Sequence, residues 1–376
     1  MKSKLIVASF LLSVFFSTSI QIVEAQPSKE NPITTAVPFL RVSADARSGS
    51  MGDVNVATTP DVNSIFYNGG KTVFNNSTHG IGVSYTPWLR ELDLNSIYLL
   101  ALSSFYEMND KEAFSFGLRY FSQGNFSFTD NTGTEVGNSK PHDIAIEGGY
   151  SRKLSSKLGV GFTLRYIHSK LADNSVDPNY KSGSAVAADL SAFYTLKNGW
   201  NFGAALTNLG SKINYGGSTN TKSFIPANLS VGTAYNKTIN ADNKISFGLN
   251  INKLLVPTPP DASNSDAVAR YNNKSVVGSW FSSFGDAPGG FKEELKEFSL
   301  GLGGEYIYKD KFSLRTGYFS ESKTKGDRHY FTVGAGVKYK ITGLDFSYLV
   351  PTGDYSAGSS ALKNTFRLSL VFDSKK

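Results

Sequence analysis

Cysteine is absent from this chain of 376 residues, and its absence removes several classes of function. Without thiols the chain forms no disulfide framework and no thiolate metal site, and it has no cysteine nucleophile. Long apolar runs are also missing beyond the N-terminus. This excludes a helical membrane protein, because each spanning helix needs about 20 apolar residues. A transmembrane β-barrel stays compatible with the sequence, because its strands need only about 9 to 11 alternating residues.

Charge of one sign is not concentrated along the sequence. The formal net charge of +7 comes from lysines scattered near predicted turns, without a basic stripe carrying interleaved aromatics, so no nucleic-acid partner is expected. The histidines are far apart in sequence: His79, His142, His168 and His329. No HExxH or GxSxG motif is present, and we expect no metal, no cofactor and no enzyme activity. A barrel lipase assembled from separate strands is the weaker alternative.

The N-terminus has the layout of a secretory signal peptide. Two lysines precede an apolar run from Leu5 to Phe16, and the small-residue pattern Val23-Glu24-Ala25 follows. We therefore assign residues 1–25 to a signal peptide and expect the mature chain to start at Gln26.

From about His79 onward the sequence alternates between apolar and small or polar residues in fourteen segments. One segment places Phe114, Phe116 and Leu118 on the same face. Many segments reach ten residues or more, whereas strands of soluble sheets cluster near about 5 to 6. Because strand side chains alternate between two faces, each segment has an apolar face that can meet lipid. The prediction is an all-β fold, a 14-stranded antiparallel transmembrane β-barrel over residues 79–376.

Loop lengths test this topology independently, because bacterial barrels have short periplasmic turns and long external loops. With His79 to Trp88 as the first strand, the gaps after even-numbered strands are short, and those after odd-numbered strands are mostly longer. The alternation predicts an even strand number, with both ends on the periplasmic side. A secreted soluble β-sandwich or propeller also alternates and is the less favoured alternative.

Residues 26–78 do not follow the alternating pattern. Short helices are predicted over Ala44 to Met51 and near Asp61 to Tyr67. Such a segment can fold into the lumen of a barrel with a Gly-rich inner wall, as a hatch or plug. We interpret strand glycines such as those in Gly301 to Gly304 as places where a strand bends or the plug approaches closely. A periplasmic tail lying against the barrel rim is the alternative.

Strand phase predicts charged side chains of both signs in the lumen. The wall candidates are Arg119, Arg165, Arg315, Arg367, Asp143, Glu147, Asp189, Glu305 and Asp345. An ion inside a narrow barrel is costly unless it is paired, so we predict a ladder of salt bridges that also anchors the hatch. The hatch candidates are Arg41, Asp45, Arg47 and Asp53. A polar permeation path is the alternative function for these side chains.

The long external segment from Lys253 to Lys296 carries aromatic residues in otherwise polar sequence. They are Trp280, Phe281, Phe284 and Phe291. Exposed aromatics on such a loop usually contact a partner or fold over the barrel mouth. We predict that these four bind a partner, and a self-packed lid is an equally weighted alternative.

The hatch and the first strand resemble a known family. The run Asp45-Ala46-Arg47-Ser48-Gly49-Ser50-Met51-Gly52-Asp53 is similar to the N-terminal signature of FadL-like outer-membrane barrels. The stretch Ser84-Tyr85-Thr86-Pro87-Trp88-Leu89 further resembles the PorV family, the FadL-like component of the type IX secretion system of Bacteroidetes. The specific motifs lie between Val37 and Leu89, and the remainder of the mature chain matches in architecture.

This resemblance implies a non-enzymatic role in protein secretion at the cell outer membrane. The implied partners are the large type IX translocon barrel, cargo proteins with a C-terminal signal domain, a surface attachment or sortase component, and outer-membrane lipid. The loop aromatics would dock the channel or the cargo signal, while the hatch keeps the barrel closed. A paralogue in the same system stays open, and so does a FadL-type channel for small hydrophobic molecules, which predicts an apolar pocket lined by hatch and wall residues.

Overall fold

Fourteen antiparallel strands close into a barrel, because the alternating segments pair in chain order and the last strand returns to the first. The computed structural model describes residues 30–90, 96–129, 132–171, 181–216, 222–352 and 362–375, so the predicted signal peptide lies outside the described residues. The wall strands are β1 (Ser77–Pro87), β2 (Ile97–Asn109), β3 (Glu112–Gln123), β6 (His142–Lys153), β7 (Leu158–Lys170), β8 (Gly183–Thr195), β9 (Trp200–Gly210), β12 (Asn228–Thr238), β13 (Asn243–Leu254), β14 (Phe298–Tyr308), β15 (Phe312–Ser320), β16 (His329–Tyr339), β17 (Thr342–Pro351) and β18 (Phe366–Lys375). The predicted fold class is confirmed.

Across the described ranges, the long loops contain two small two-stranded sheets. They are formed by β4 (Phe126–Thr129) with β5 (Glu135–Ser139) and by β10 (Ile213–Asn214) with β11 (Lys222–Ser223). Among the described residues, no helix has the length and apolar character to cross a membrane.

Side chains alternate across the barrel wall. Along β7, Phe162, Leu164 and Tyr166 are exposed on the outside, whereas Thr163 and Arg165 between them are buried. Exposed tyrosines stand next to the short turns: Tyr106, Tyr194, Tyr308 and Tyr339. An apolar outer band bordered by such an aromatic belt is the surface that a barrel presents to a bilayer.

Short turns and long connections alternate around the barrel. The connections at one end have two to four residues, such as 110–111 after β2, and those at the other end have at least eight, up to 255–297 after β13. β1 begins and β18 ends at the short-turn end, which the loop-length rule identifies as periplasmic.

The hatch consists of short helical pieces inside the barrel. They are the helix α1 (Ala46–Ser50) and the 3-10 helices Pro38–Arg41, Val62–Phe66 and Gly69–Phe74. The side chains of Asp45 and Asp61 cap two of them by accepting hydrogen bonds from backbone N–H groups. Both predicted helical stretches are therefore present, one of them as a 3-10 helix.

Glycines in the wall allow the hatch backbone to approach closely. A Cβ atom on Gly303 would overlap Met51, and one on Gly317 would overlap the peptide that joins Met51 to Gly52. Only glycine leaves that room. The predicted close approach of the hatch is confirmed for Gly301 and Gly303, whereas Gly304 lies beside Phe247 of the neighbouring strand and not beside the hatch.

The beginning of the described chain lies at the long-loop end. The backbone N–H of Asn31 donates to the carbonyl of Thr324 at 2.9 Å, and that of Ala36 donates to the carbonyl of Phe224 at 2.8 Å. Both acceptors belong to long connections. The chain therefore runs from the outer mouth through the lumen to the start of β1. The expectation of both ends on the periplasmic side holds for the first and last strands, but not for this segment.

The connection 255–297, called the outer lid below, is folded into helices. These are α2 (Ser265–Asn273), α3 (Val276–Ser282) and α4 (Phe291–Leu295). Tyr271 of α2 packs against a cluster that contains Ile33 and Phe224. The outer lid thus contacts the outermost part of the hatch segment.

Candidate functional site

A first network of buried ion pairs crosses four neighbouring strands of the lumen. Glu147 on β6 lies 2.5 Å from Arg119 on β3 and 2.6 Å from Arg165 on β7. Arg165 also lies 2.7 Å from Asp189 on β8. Their side chains are 0 to 6% exposed. Arg119 reaches the hatch as well, donating to the carbonyl of Leu40 at 3.3 Å. Charges that would be costly alone are therefore compensated by neighbours.

A second network joins the opposite wall to the hatch. Glu305 on β14 lies 2.8 Å from Arg47 of α1 and 2.7 Å from Arg315 on β15. Arg47 continues to Asp61 of the hatch at 2.8 Å, and Arg315 continues to Asp345 on β17 at 2.6 Å. Glu305 therefore links Arg47 of the hatch to Arg315 of the wall.

Asp53 is held by hydroxyl groups. It accepts a hydrogen bond from Ser43 at 2.5 Å and another from the phenol of Tyr330. Arg367 donates to the carbonyl of Ser43 at 3.4 Å and packs beside Gly49. The predicted lumen residues thus meet the hatch at several separate places. Within the part of the chain that the structure describes, Asp53 does so through hydroxyl groups in place of the salt bridge predicted for it.

Neutral groups that sequence analysis did not single out also hold the hatch. The hydroxyl of Thr332 donates to the carbonyl of Ser50 and accepts from the N–H of Gly52, both at 2.9 Å. The ammonium of Lys71, which is 1% exposed, donates to the carbonyl of Asn55 at 2.8 Å. Lys71 lies in a helical segment, which carries no period-2 pattern that would identify it as buried. Thr332 lies on β16 between the outward-facing Phe331 and Val333, so strand phase would have placed it in the lumen.

A third buried ionic cluster lies under the outer lid, and sequence analysis did not predict it. Glu297 lies 2.7 Å from Lys253 at the end of β13 and 3.0 Å from Lys325 in the connection after β15. Glu294 of α4 contacts Lys253 at 3.4 Å, and Glu293 contacts Lys325 at 2.6 Å. The cluster fastens the outer lid to the barrel rim and to a neighbouring loop.

A triad beside this cluster fastens the hatch to the same loop. Glu321 lies 2.9 Å from Arg41 and 2.7 Å from Arg328. Burial alone would raise the pKa of Glu321, but the charges and hydrogen bonds of Arg328 and Arg41 hold it below its usual range. Burial, assisted by the charge of Arg328, lowers the pKa of Arg41 to about 10. All three groups are therefore charged at neutral pH.

The predicted loop aromatics lie on the outer lid and differ in exposure. Phe281 of α3 and Phe291 of α4 are 76% and 75% exposed, and Phe284 is 48% exposed. Trp280 is partly exposed. The ring of Phe284 lies 5.5 Å from the ammonium of Lys253. We call these four residues the outer aromatic patch. The lid is thus self-packed through its ionic cluster, while two phenylalanines project from it without burial.

A cavity of about 120 Å³ lies between the hatch and the outer loops. Charged and amide or hydroxyl side chains make up most of its lining: Arg41, Asp53, Arg119, Asn208, Asn228, Ser230, Asn252, Glu297, Glu321 and Lys325. An apolar molecule placed here would desolvate these groups without replacing their hydrogen bonds. The cavity suits water or a small polar molecule.

A family model described as "Type IX secretion system protein PorV" matches residues 25–261, more than half of the chain. The matched span covers the hatch, the wall strands β1 to β13 and the first residues of the outer lid. No curated protein matches the chain.

Solved structures of FadL-like barrels share the fold. The Ralstonia pickettii toluene transporter TbuX superposes with a TM-score of 0.53 at 12% identity, covering 88% of this chain and 98% of that chain. The Pseudomonas putida toluene transporter TodX gives 0.51 at 11% identity, covering 92% and 98%. A Pseudomonas aeruginosa FadL homologue gives 0.50 at 12% identity, covering 92% and 99%. At such low identity the likeness shows the fold alone.

These comparisons name secretion and transport components and no enzyme. The lipid-facing wall and the family match agree on a position in the cell outer membrane, and the resemblance seen in the hatch sequence is confirmed. The chain belongs to the PorV family of type IX secretion system proteins.

Proposed function

We propose that this protein receives cargo with a C-terminal signal domain from the large type IX translocon barrel and passes it to a surface attachment or sortase component. The observation that carries the proposal is the outer aromatic patch, in which Phe281 and Phe291 are 76% and 75% exposed on an ordered lid. Large exposed aromatics rimmed by polar residues are typical of protein interaction sites.

The hatch supports docking at the outer surface over passage through the lumen. We assign the hatch and lumen anchoring role to Arg47, Asp53, Arg119, Arg165, Glu147, Asp189, Glu305 and Arg315. The ion pairs among these residues are buried and compensated, and breaking one costs several kcal/mol, about 3 to 5. In a barrel closed in this way the lumen offers no path for a protein. The partners would therefore bind to the outer lid.

Substitutions in the patch test this role. Purified protein in mild detergent is titrated with the isolated signal domain of an exported cargo protein and, separately, with the translocon barrel. Burying a hot-spot aromatic is worth about 2 kcal/mol or more, so Phe281→Ser with Phe291→Ser should weaken one of these contacts by at least about thirtyfold. Phe126→Ser is the matched control, because Phe126 is also exposed, at 44%, on a hairpin of another external connection. Unchanged affinity of the patch variant for both partners refutes the proposal.

A channel for small hydrophobic molecules is the second candidate, and the fold shared with the toluene transporters favours it. The polar lining of the cavity beneath the outer lid weighs against it. Uptake of a radiolabelled aromatic hydrocarbon into liposomes containing the protein, at a rate above that of empty liposomes, would support this candidate.

A further inference from the structure

Outward-facing side chains on β7, β8 and β9 form rows of different size near the periplasmic end. The register places Val160 opposite Ala192 and Ala192 opposite Ala204. The neighbouring rows on both sides consist of larger side chains. The row on the periplasmic side is Leu158, Tyr194 and Phe202, and the row on the other side is Phe162, Leu190 and Leu206. The row of small residues is therefore the floor of a trough in the lipid-facing wall.

The trough has a volume of about 630 Å³ and ends at a cation. Leu229 of β12 lies at one end, and Arg152 with Tyr150 of β6 lies at the other. Arg152 pairs with Val160 in the register, so it belongs to the same row as the floor. Its side chain is 56% exposed, with Glu112 at 3.5 Å. A phospholipid has an anionic phosphate and apolar acyl chains. A lipid-facing arginine beside an apolar trough matches both parts.

The short turns beyond Arg152 extend the basic end. A second opening at the periplasmic rim is lined by Lys111, Arg152, Lys153 and the exposed Leu154. Three basic side chains line this opening, Lys111, Arg152 and Lys153, with Asp110 as the acidic one. Glu112 pairs with Arg152, and the ammonium of Lys153 lies over the ring of Phe74 in the hatch. With Glu112 counted, the local formal charge of these five groups is +1, which favours an anion at the level of the headgroups.

We propose that this trough binds one anionic glycerophospholipid of the periplasmic leaflet. Arg152 and Lys111 hold its phosphate, because a guanidinium fork matches phosphate oxygens and an ammonium adds a point charge. One acyl chain lies on the floor formed by Val160, Ala192 and Ala204. The strands of membrane barrels tilt by about 35 to 45°, so a trough that crosses them is inclined to the membrane plane, as a chain leaving the headgroup layer must be.

Lipid retention measured by native mass spectrometry tests the site. The protein is equilibrated in mixed micelles with equal amounts of phosphatidylglycerol and phosphatidylcholine, and the bound lipid is counted. We expect one phosphatidylglycerol on the parent protein. Arg152→Gln or Lys111→Gln should each weaken its retention about fivefold, which is the effect of one basic group at a membrane surface. Lys340→Gln removes an exposed lysine from a distant short turn and should change nothing.

Filling the floor gives a second, charge-independent test. Ala192→Leu with Ala204→Leu should abolish retention, whereas Ala335→Leu, an exposed alanine on the outer face of β16, should not. Heat-modifiable migration on gels verifies that every variant forms a folded barrel. Equal retention of the two lipids by the parent, or equal retention by both leucine variants, overturns the proposal. So does a floor variant that keeps its lipid but no longer co-purifies with the translocon barrel, because the trough would then be a protein interface.

Discussion

Glu305 joins the hatch to the wall, and we predict that Glu305→Gln loosens the hatch. The carboxylate side chain is 2% exposed and contacts Arg47 at 2.8 Å and Arg315 at 2.7 Å. Glutamine keeps the shape but removes the charge, so two buried guanidinium groups lose a counter-ion. Removing one partner of a buried pair costs about 3 to 5 kcal/mol. Because Arg47 keeps Asp61 and Arg315 keeps Asp345, we expect the lower end, about 3 kcal/mol.

The absence of native cysteine provides the assay. A single Ala57→Cys substitution places a thiol at a hatch position that is 0% exposed, where a reagent reaches it only when the hatch opens. When opening and closing are fast relative to labelling, the labelling rate follows the open population. A loss of 3 kcal/mol in hatch stability then raises the rate about a hundredfold.

A rim substitution separates this effect from a general loss of charge. Asp310→Asn removes an ion pair with Lys244 in which the two side chains are 64% and 40% exposed. Exposed pairs contribute at most about 1 kcal/mol, so labelling should rise less than about fivefold. If Glu305→Gln is labelled no faster than Asp310→Asn while the barrel stays folded, the reasoning about buried pairs is refuted.

Three further perturbations test other contacts. Gly317→Val occupies the space of the hatch backbone and should speed labelling in the single-cysteine background, whereas Gly148→Val, with open space around it, should not. Glu321 has a pKa below its usual range in the folded protein, so its contribution is complete above the unfolded pKa of about 4.3 and is lost as the pH falls through the folded value. The protection factors of the backbone amides in residues 31–41, which are exchange rates corrected for the intrinsic pH dependence, should therefore fall only below the unfolded pKa of about 4.3. Lys253→Met removes the ammonium that contacts Glu294 and one of the two that contact Glu297. The cost of about 3 kcal/mol should speed tryptic cleavage of the outer lid.

Each of these has a result that contradicts it. Equal labelling of the two glycine variants would mean that the hatch does not rest on the wall glycine. Protection factors of residues 31–41 that stay constant as the pH falls below about 4.3 would contradict the role of Glu321. An outer lid that resists trypsin equally with and without Lys253 would show that the ionic cluster does not hold it.

The barrel was predictable because its determinants are local. Alternation with period 2 assigns Phe162, Leu164 and Tyr166 to lipid and Arg165 to the lumen without knowledge of any partner strand. The same phase identified Glu147 and Glu305 as lumen carboxylates, and the cost of an isolated buried charge required partners for them. Which arginine each carboxylate contacts depends on strand register, and alternation alone does not supply that.

The contacts of the outer lid were not predictable because they join residues that are distant in sequence. Strand phase assigns Lys253 to the same face as Leu249 and Ile251, the lipid-facing one, yet Lys253 is 1% exposed because the outer lid folds over it. The contact between Arg41 and Glu321 joins residues 280 positions apart. Such contacts arise from the path of irregular segments, which carry no periodic signal.

The central claim is that this closed barrel takes part in protein secretion through its outer surface. The most direct measurement is purification of the tagged protein from its native outer membrane in mild detergent, followed by mass spectrometry of the proteins and lipids that accompany it. We expect the very large translocon barrel together with exported proteins that share a C-terminal signal domain. Recovery of the barrel alone, carrying fatty acid or another small hydrophobic compound in its lumen, would contradict the account.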